Sequence, residues 1–171
     1  MKQPNLLIIL MIFFSTVAYA QTAEKINKIG NEALNFGNYI QKNNEIFLYG
    51  IKTNGADTKN GQWACAKVAT IILKKAGAID KIYLGVRNVE TELKDWKKIK
   101  NEKDLKPGDV VIWVNRFTGR DDEKCTGGGN CHVGILTDNG YFHNSPLSDA
   151  PTFGGISLWA FYFKIGYRPS N

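Results

Sequence analysis

Beyond its first twenty residues the sequence has no long hydrophobic run, and nothing there approaches the roughly 20 apolar residues of a membrane-spanning helix. It also lacks a basic cluster interleaved with aromatic residues, because its lysines and arginines are spread among carboxylates. That distribution argues against a nucleic-acid-binding surface. No cysteine directly follows Ala20, so a bacterial lipid anchor is not expected there. We therefore expect neither a stable membrane anchor nor a nucleic-acid partner.

The amino terminus carries the one apolar run that the sequence does have. Lys2 precedes an apolar stretch from Leu6 to Phe14, and the small-residue end Ala18-Tyr19-Ala20 follows it. This pattern is typical of a secretory signal peptide, and the run is too short to span a bilayer. We predict cleavage after residue 20 and a mature protein that is secreted or periplasmic.

Removal of residues 1–20 leaves residues 21–171, a length typical of a single domain with its own hydrophobic core. The full chain has a formal charge of +6 at pH 7. A positive protein is attracted to anionic surfaces such as a bacterial wall, although an ordinary solvated surface explains the same charge. One domain in the cell envelope is the expectation.

Cysteine is scarce, with three residues in the chain. Cys125 and Cys131 flank the glycine-rich run 126–130, and in an oxidising compartment they are expected to form a disulfide bond. The alternative is a zinc site made by these two cysteines and His132, but the spacing is wider than in common zinc knuckles and a fourth ligand is not evident. We predict the disulfide, no metal, and a free thiol at Cys65.

A helix is predicted from Trp63 to Ala76, because this segment is rich in Ala, Val, Ile and Leu and follows a turn-rich stretch. Gly77 is well placed to end the helix in a left-handed conformation. Cys65 then falls in the first turn, where unpaired amides and the helix dipole favour the thiolate over the thiol. A lone cysteine on an apolar helical face is also common in protein cores, so a packing role stays open.

Both histidines of the chain fall on one predicted β-hairpin. Two short apolar strands, one starting at His132 and the other ending at His143, are joined by a loop that contains the turn signal Asn139-Gly140. With a four-residue loop the histidines are diagonal neighbours on one sheet face, roughly 7 to 8 Å apart. A three-residue loop puts Asn144 there instead. We expect His143, with Asn144 as the alternative, to orient His132; a purely structural pair is the competing interpretation.

The remaining pattern predicts an α+β chain. Residues 23–42 are expected to form an amphipathic helix and residues 91–98 a short helix. The turn Pro107-Gly108-Asp109 leads into an apolar strand at Val110–Val114. Residues 115–130 are expected to form a long polar loop.

Four segments in order resemble one known family. They are Gln62-Trp63-Ala64-Cys65-Ala66 opening a helix, Leu105 to Trp113 with its Pro-Gly-Asp entry, His132-Val133-Gly134-Ile135, and Tyr141-Phe142-His143. Together they resemble NlpC-type cell-wall peptidases and the related CHAP amidases, over residues 62–168. The resemblance implies a circularly rearranged papain-like fold, with N-terminal helices and the nucleophile helix packed on a curved antiparallel sheet.

What the resemblance implies about activity is a cysteine peptidase or amidase with Cys65 as nucleophile, His132 as base and His143 as orienting residue. The Cys65 backbone amide is the expected oxyanion donor, the Gln62 side chain is a candidate second donor, and no cofactor is needed. The expected substrates and partners are peptidoglycan peptides, cleaved at amide bonds of the stem. Two alternatives stay open: an interbacterial amidase toxin with a proteinaceous inhibitor, and a non-catalytic cell-envelope binding module on the same fold.

Overall fold

The structure is a computed structural model that describes residues 20–61, 63–117, 125, 130–156 and 160–170. The predicted signal peptide lies outside the described residues, except for Ala20. Among the described residues, no helix has the length and apolar character needed to cross a membrane. The helices are α1 (residues 20–31), α2 (Cys65–Lys75) and α3 (Val86–Glu92), with 3-10 turns at Ala56–Gly61 and Glu102–Asp104. The strands are β1 (Tyr39–Lys42), β2 (Glu45–Leu48), β3 (Ile51–Lys52), β4 (Lys97–Ile99), β5 (Val110–Asn115), β6 (Cys131–Thr137), β7 (Gly140–Asn144), β8 (Pro151–Phe153) and β9 (Phe161–Arg168).

The strands form two sheets. A small sheet has the order β1-β2-β3, and a larger one has the order β4-β9-β5-β6-β7-β8. Every neighbouring pair in both sheets is antiparallel. The predicted α+β class is therefore confirmed.

The larger sheet buries apolar side chains on both faces. Helix α2 packs on strands β6 and β7, and the side chains of Ile112, Val133 and Ile135 belong to the core beneath it. Successive side chains of a strand point to opposite faces, so Trp113 and Phe161 belong to a separate apolar cluster. Strand β6 therefore has one face under α2 and one face in this second cluster.

Helix α2 begins at Cys65 and ends where its sequence predicts. Gly77 has a φ of +72°, and its amide donates to the Lys74 carbonyl. The amide of Ala78 donates to the carbonyl of Leu73, which completes a glycine-terminated helix end. The predicted left-handed stop at Gly77 is confirmed.

Two of the predicted helices are wrong in extent or position. The helix predicted over residues 23–42 ends at residue 31, and Tyr39–Lys42 is strand β1. Asn43 and Asn44 adopt left-handed φ values of 52° and 63°, which turn the chain back into β2. The helix predicted over residues 91–98 lies earlier, at Val86–Glu92, because residues 97–99 pair with β9 instead.

The Pro-Gly-Asp entry to β5 is explained by packing. Gly108 has a φ of +94°, and a Cβ there would lie 2.3 Å from the Ala23 carbonyl oxygen. The fully buried Asp109 carboxylate accepts hydrogen bonds from Arg168 Nε and Nη2 at 2.8 and 2.7 Å. It also accepts from the Lys106 amide at 2.8 Å. This motif therefore fixes the start of β5 against β9.

Candidate active site

The hairpin of β6 and β7 has the predicted register, but its loop has two residues rather than four, because Thr137 pairs with Gly140. Leu136 pairs with Tyr141 and Gly134 pairs with His143, so His132 and His143 are diagonal neighbours. The Nε2 atom of His132 lies 3.0 Å from Nδ1 of His143. The predicted contact between the two histidines, called the histidine pair below, is confirmed.

Gly134 makes room for the histidine pair. A Cβ at this position would lie 3.0 Å from the His143 Cβ and 3.3 Å from a ring carbon of Trp113. The His132 ring also packs near Trp113 and Phe161, with ring centroids 6.1 and 5.6 Å away. The pair is thus held by aromatic side chains on the sheet face opposite the core beneath α2.

Burial keeps the histidine pair neutral. His132 is 5% exposed and His143 is 2% exposed. Burial, with a smaller contribution from the charge of His143, lowers the pKa of His132 to about 3. Burial also lowers the pKa of His143, against a backbone hydrogen bond at Asn144 that raises it. Two neutral imidazoles in contact need one donor and one acceptor, so the tautomer of one ring fixes that of the other.

Cys65 is the free thiol at the first residue of α2. Burial raises the pKa of the Cys65 thiol, and it outweighs hydrogen bonds from the backbone amides of Val133, Ala66 and Cys65 itself, which lower the pKa. The amides of Ala66 and Cys65 at the helix start act in the expected direction, but burial outweighs them, so the group is held as a thiol rather than as the expected thiolate. Val133 follows His132 directly, so its amide places the sulfur against the strand that carries His132.

The thiol and the histidine pair are not in direct contact: Cys65 packs against the core cluster that contains Val133, whereas the His132 ring lies on the Trp113 side of β6. Among the described residues, no hydrogen bond connects the Cys65 sulfur to His132, whose Nε2 instead faces His143. The structure thus brings together two of the three predicted catalytic side chains by direct contact. It places the third against the neighbouring backbone amide of Val133.

Asn144 has a different role from the one the sequence left open. Its Nδ2 donates to the Gly61 carbonyl at 2.8 Å, and the side chain is buried. Gly61 has a φ of +110°, and a Cβ there would lie 2.3 Å from the Asp149 carbonyl oxygen. The alternative in which Asn144 orients His132 is therefore wrong in its register. Asn144 instead holds the chain at Gly61, just before Cys65, a contact that no local sequence signal predicts.

Other predicted site features have mixed outcomes. Cys125 and Cys131 form a disulfide bond, as predicted. The sulfur atoms of Cys125 and Cys131, two of the three ligands in the zinc alternative, are bonded to each other. In the described parts of the chain, no group of three or more His, Cys, Asp or Glu side chains is arranged to hold a metal ion. The candidate donor Gln62 and most of the predicted loop 115–130 lie outside the described residues.

Comparisons with known proteins do not assign a family. No protein-family model, no curated protein and no solved structure matches this chain. Function is therefore inferred from the geometry around Cys65, His132 and His143.

Proposed function

We propose that this protein is an exported cysteine hydrolase that cleaves amide bonds in peptidoglycan stem peptides, on a papain-like fold of the NlpC and CHAP type. The observation that carries the proposal is the contact between His132 Nε2 and His143 Nδ1 at 3.0 Å, on the strands that support the Cys65 helix. A cysteine at a helix start, a base on an adjacent strand and a polar group orienting that base are the parts of a nucleophilic cysteine site.

The histidine contact couples the tautomers of the two rings, and the proposed mechanism requires one of the two arrangements. When His132 Nε2 carries the proton and donates to His143 Nδ1, the other ring nitrogen of His132 has a free lone pair. That nitrogen, Nδ1, is then the base for Cys65. His143 acts as the positioning residue that selects this tautomer.

The raised pKa of Cys65 and the lowered pKa of His132 mean that the resting pair is neutral. The proton passes from sulfur to imidazole as the thiolate attacks the substrate carbonyl, because an ion pair is not formed in advance. His132 then donates this proton to the departing amine, which leaves an acyl-enzyme on Cys65. Water attacks the acyl-enzyme and regenerates the thiol.

The backbone around Cys65 supports an oxyanion site. The amides of Cys65 and Ala66 lie close enough to the sulfur to lower its pKa. Amides in the first turn of a helix have no carbonyl partner within the helix, so they can donate to a developing oxyanion. We assign the Cys65 amide as the principal donor.

The substrate class is supported by the setting of the site. The amino-terminal pattern is typical of export, and the disulfide fits an oxidising compartment. The formal charge of +6, which becomes +5 when Lys2 is removed with the signal peptide, favours an anionic wall. Amide bonds in stem peptides are the substrates that these features and the family resemblance favour together. We place the mature protein outside the cytoplasm, in the cell envelope or medium.

Mass spectrometry of purified peptidoglycan tests the proposal. The mature protein should release new stem-peptide fragments that Cys65→Ala does not release. Lys67→Gln, a nearby change on the same helix, is the matched control and should retain the products. No fragment from any wall type tested, with folded protein confirmed by circular dichroism, would overturn the peptidoglycan assignment.

One observation favours the competing binding module. The Cys65 thiol has a raised pKa and no hydrogen bond to His132, which also fits a half-buried cysteine that only packs against the core. The rate of Cys65 alkylation by iodoacetamide distinguishes the hydrolase from the binding module. In a hydrolase, His132→Ala should slow Cys65 alkylation at pH 7 to 8, whereas in a binding module it should leave the rate unchanged.

A further inference from the structure

The disulfide lies next to the base. Cys131 is the first residue of β6 and directly precedes His132. Strand β6 pairs with β5 from Cys131 onward, but its pairing with β7 reaches only as far as Gly134. The end of β6 that carries His132 is therefore held by strand pairing on one side alone. The disulfide bond to Cys125 adds a covalent tether to this strand pairing.

A cation lies against the other sulfur of the disulfide. Lys164, on β9, places its Nζ 3.3 Å from Cys125 Sγ and 2.9 Å from the Glu90 carboxylate. A neighbouring ammonium stabilises a thiolate, and the more stable thiolate is the better leaving group in thiol–disulfide exchange. Cys125 and Cys131 are about equally buried, at 6% and 8% exposed, so charge distinguishes them better than access does.

We propose that the Cys125–Cys131 disulfide is a redox latch on His132, and that Lys164 directs its opening and closing through Cys125. The proposal rests on the proposed function, because it assigns a form of regulation to the same site. Oxidation holds the His132 end of β6 in the geometry that lets the base meet His143. Reduction releases that end and lowers activity.

The exchange step balances with a thiol such as glutathione as reductant. Its thiolate attacks the sulfur of Cys131, the Cys125–Cys131 bond breaks, and Cys125 leaves as a thiolate beside Lys164. A second glutathione attacks the mixed disulfide on Cys131, releasing oxidised glutathione and the free Cys131 thiol. Closing reverses these steps: the Cys125 thiolate attacks the mixed disulfide on Cys131 and expels glutathione.

The direction of the latch fits an exported hydrolase. A chain in a reducing cytoplasm has both thiols free and its base untethered, whereas the same chain in an oxidising compartment acquires the bond. The enzyme is then activated where its wall substrate is found.

Acid-quenched exchange tests the role of Lys164. The oxidised protein is mixed with reduced glutathione at pH 7, quenched, and mapped for the cysteine that carries glutathione. We expect Cys131 to carry it about tenfold more often than Cys125, and Lys164→Met to abolish this preference while Lys164→Arg retains it. Glu90→Gln is the matched control, because it removes the salt bridge but keeps the ammonium. An equal distribution in the wild type, or a preference that persists in Lys164→Met, overturns this role.

A double variant tests the latch itself. Cys125→Ser with Cys131→Ser should have at least tenfold lower turnover than the oxidised wild type and no response to glutathione. In parallel, the imidazole NMR signals of the chain, which arise from two histidines, should shift when the wild type is reduced. Unchanged signals on reduction, or a double variant as active as the oxidised protein, refute the latch. Shifted signals without any peptidoglycan product refute the proposed function and leave the latch standing.

Discussion

Acid should destabilise this protein through its buried histidines. Burial lowers the pKa of His132 to about 3, whereas an unfolded chain has the ordinary value of 6.5. Between these values the unfolded state binds more protons than the folded state, so the free energy of unfolding rises with pH and is lost as pH falls below 6.5. From pH 7 to pH 5 the loss is about 2 kcal/mol for His132 alone, at about 1.4 kcal/mol per pH unit.

Urea denaturation at pH 5, 6 and 7 measures this loss. The chain has two histidines, and the pKa of both is lowered by burial, so His143 adds to the effect in the same direction. The pKa of the Asp57 carboxyl is lowered from 3.8, so Asp57 changes the free energy of unfolding only at pH values below those of this measurement. His132→Gln removes the main titrating group and should flatten the profile. Equal unfolding free energies at pH 5 and pH 7 in the wild type would refute the burial of neutral imidazoles.

Four substitutions test the packing and the residue roles around the site. Arg168→Met should lower the free energy of unfolding by roughly 3 to 5 kcal/mol in urea denaturation, because it leaves the buried Asp109 carboxylate unpaired; an effect below about 1 kcal/mol would contradict this. Gly134→Ala should lower the free energy of unfolding by about 1 to 3 kcal/mol, because its Cβ would crowd the histidine pair. An unchanged free energy of unfolding would contradict the close packing around Gly134. His143→Ala should reduce kcat by about 100-fold or more. Asn144→Ala should mainly lower the free energy of unfolding, by roughly 1 kcal/mol, because it removes one hydrogen bond to the Gly61 carbonyl, which still accepts from the Ala64 amide. The opposite pattern in kcat would assign the orienting role to Asn144.

Local patterns were sufficient for the hairpin and the disulfide. The pairing of Gly134 with His143 follows from strand alternation and the turn signal at Asn139-Gly140, because a one-residue slip would reverse every side chain. The bond between Cys125 and Cys131 follows from their short separation. In both cases the partners are near in sequence, so few alternatives compete.

Contacts between distant segments were not predictable in the same way. The hydrogen bond from Asn144 to Gly61 and the approach of Lys164 to Cys125 depend on tertiary packing rather than on a local motif. Helix periodicity in residues 23–42 was misleading, because paired asparagines turn the chain into a hairpin there. Burial also reversed the expected pKa direction for Cys65, since desolvation depends on what packs over the helix start.

The most direct test of the central claim is the intact mass of the protein during turnover of an activated stem-peptide ester, quenched in acid. The account predicts a covalent acyl adduct that maps to Cys65, is absent from Cys65→Ala, and accumulates more slowly in His132→Ala. Turnover of the ester with no adduct, or an adduct on another residue, would contradict the assignment of Cys65 as the nucleophile.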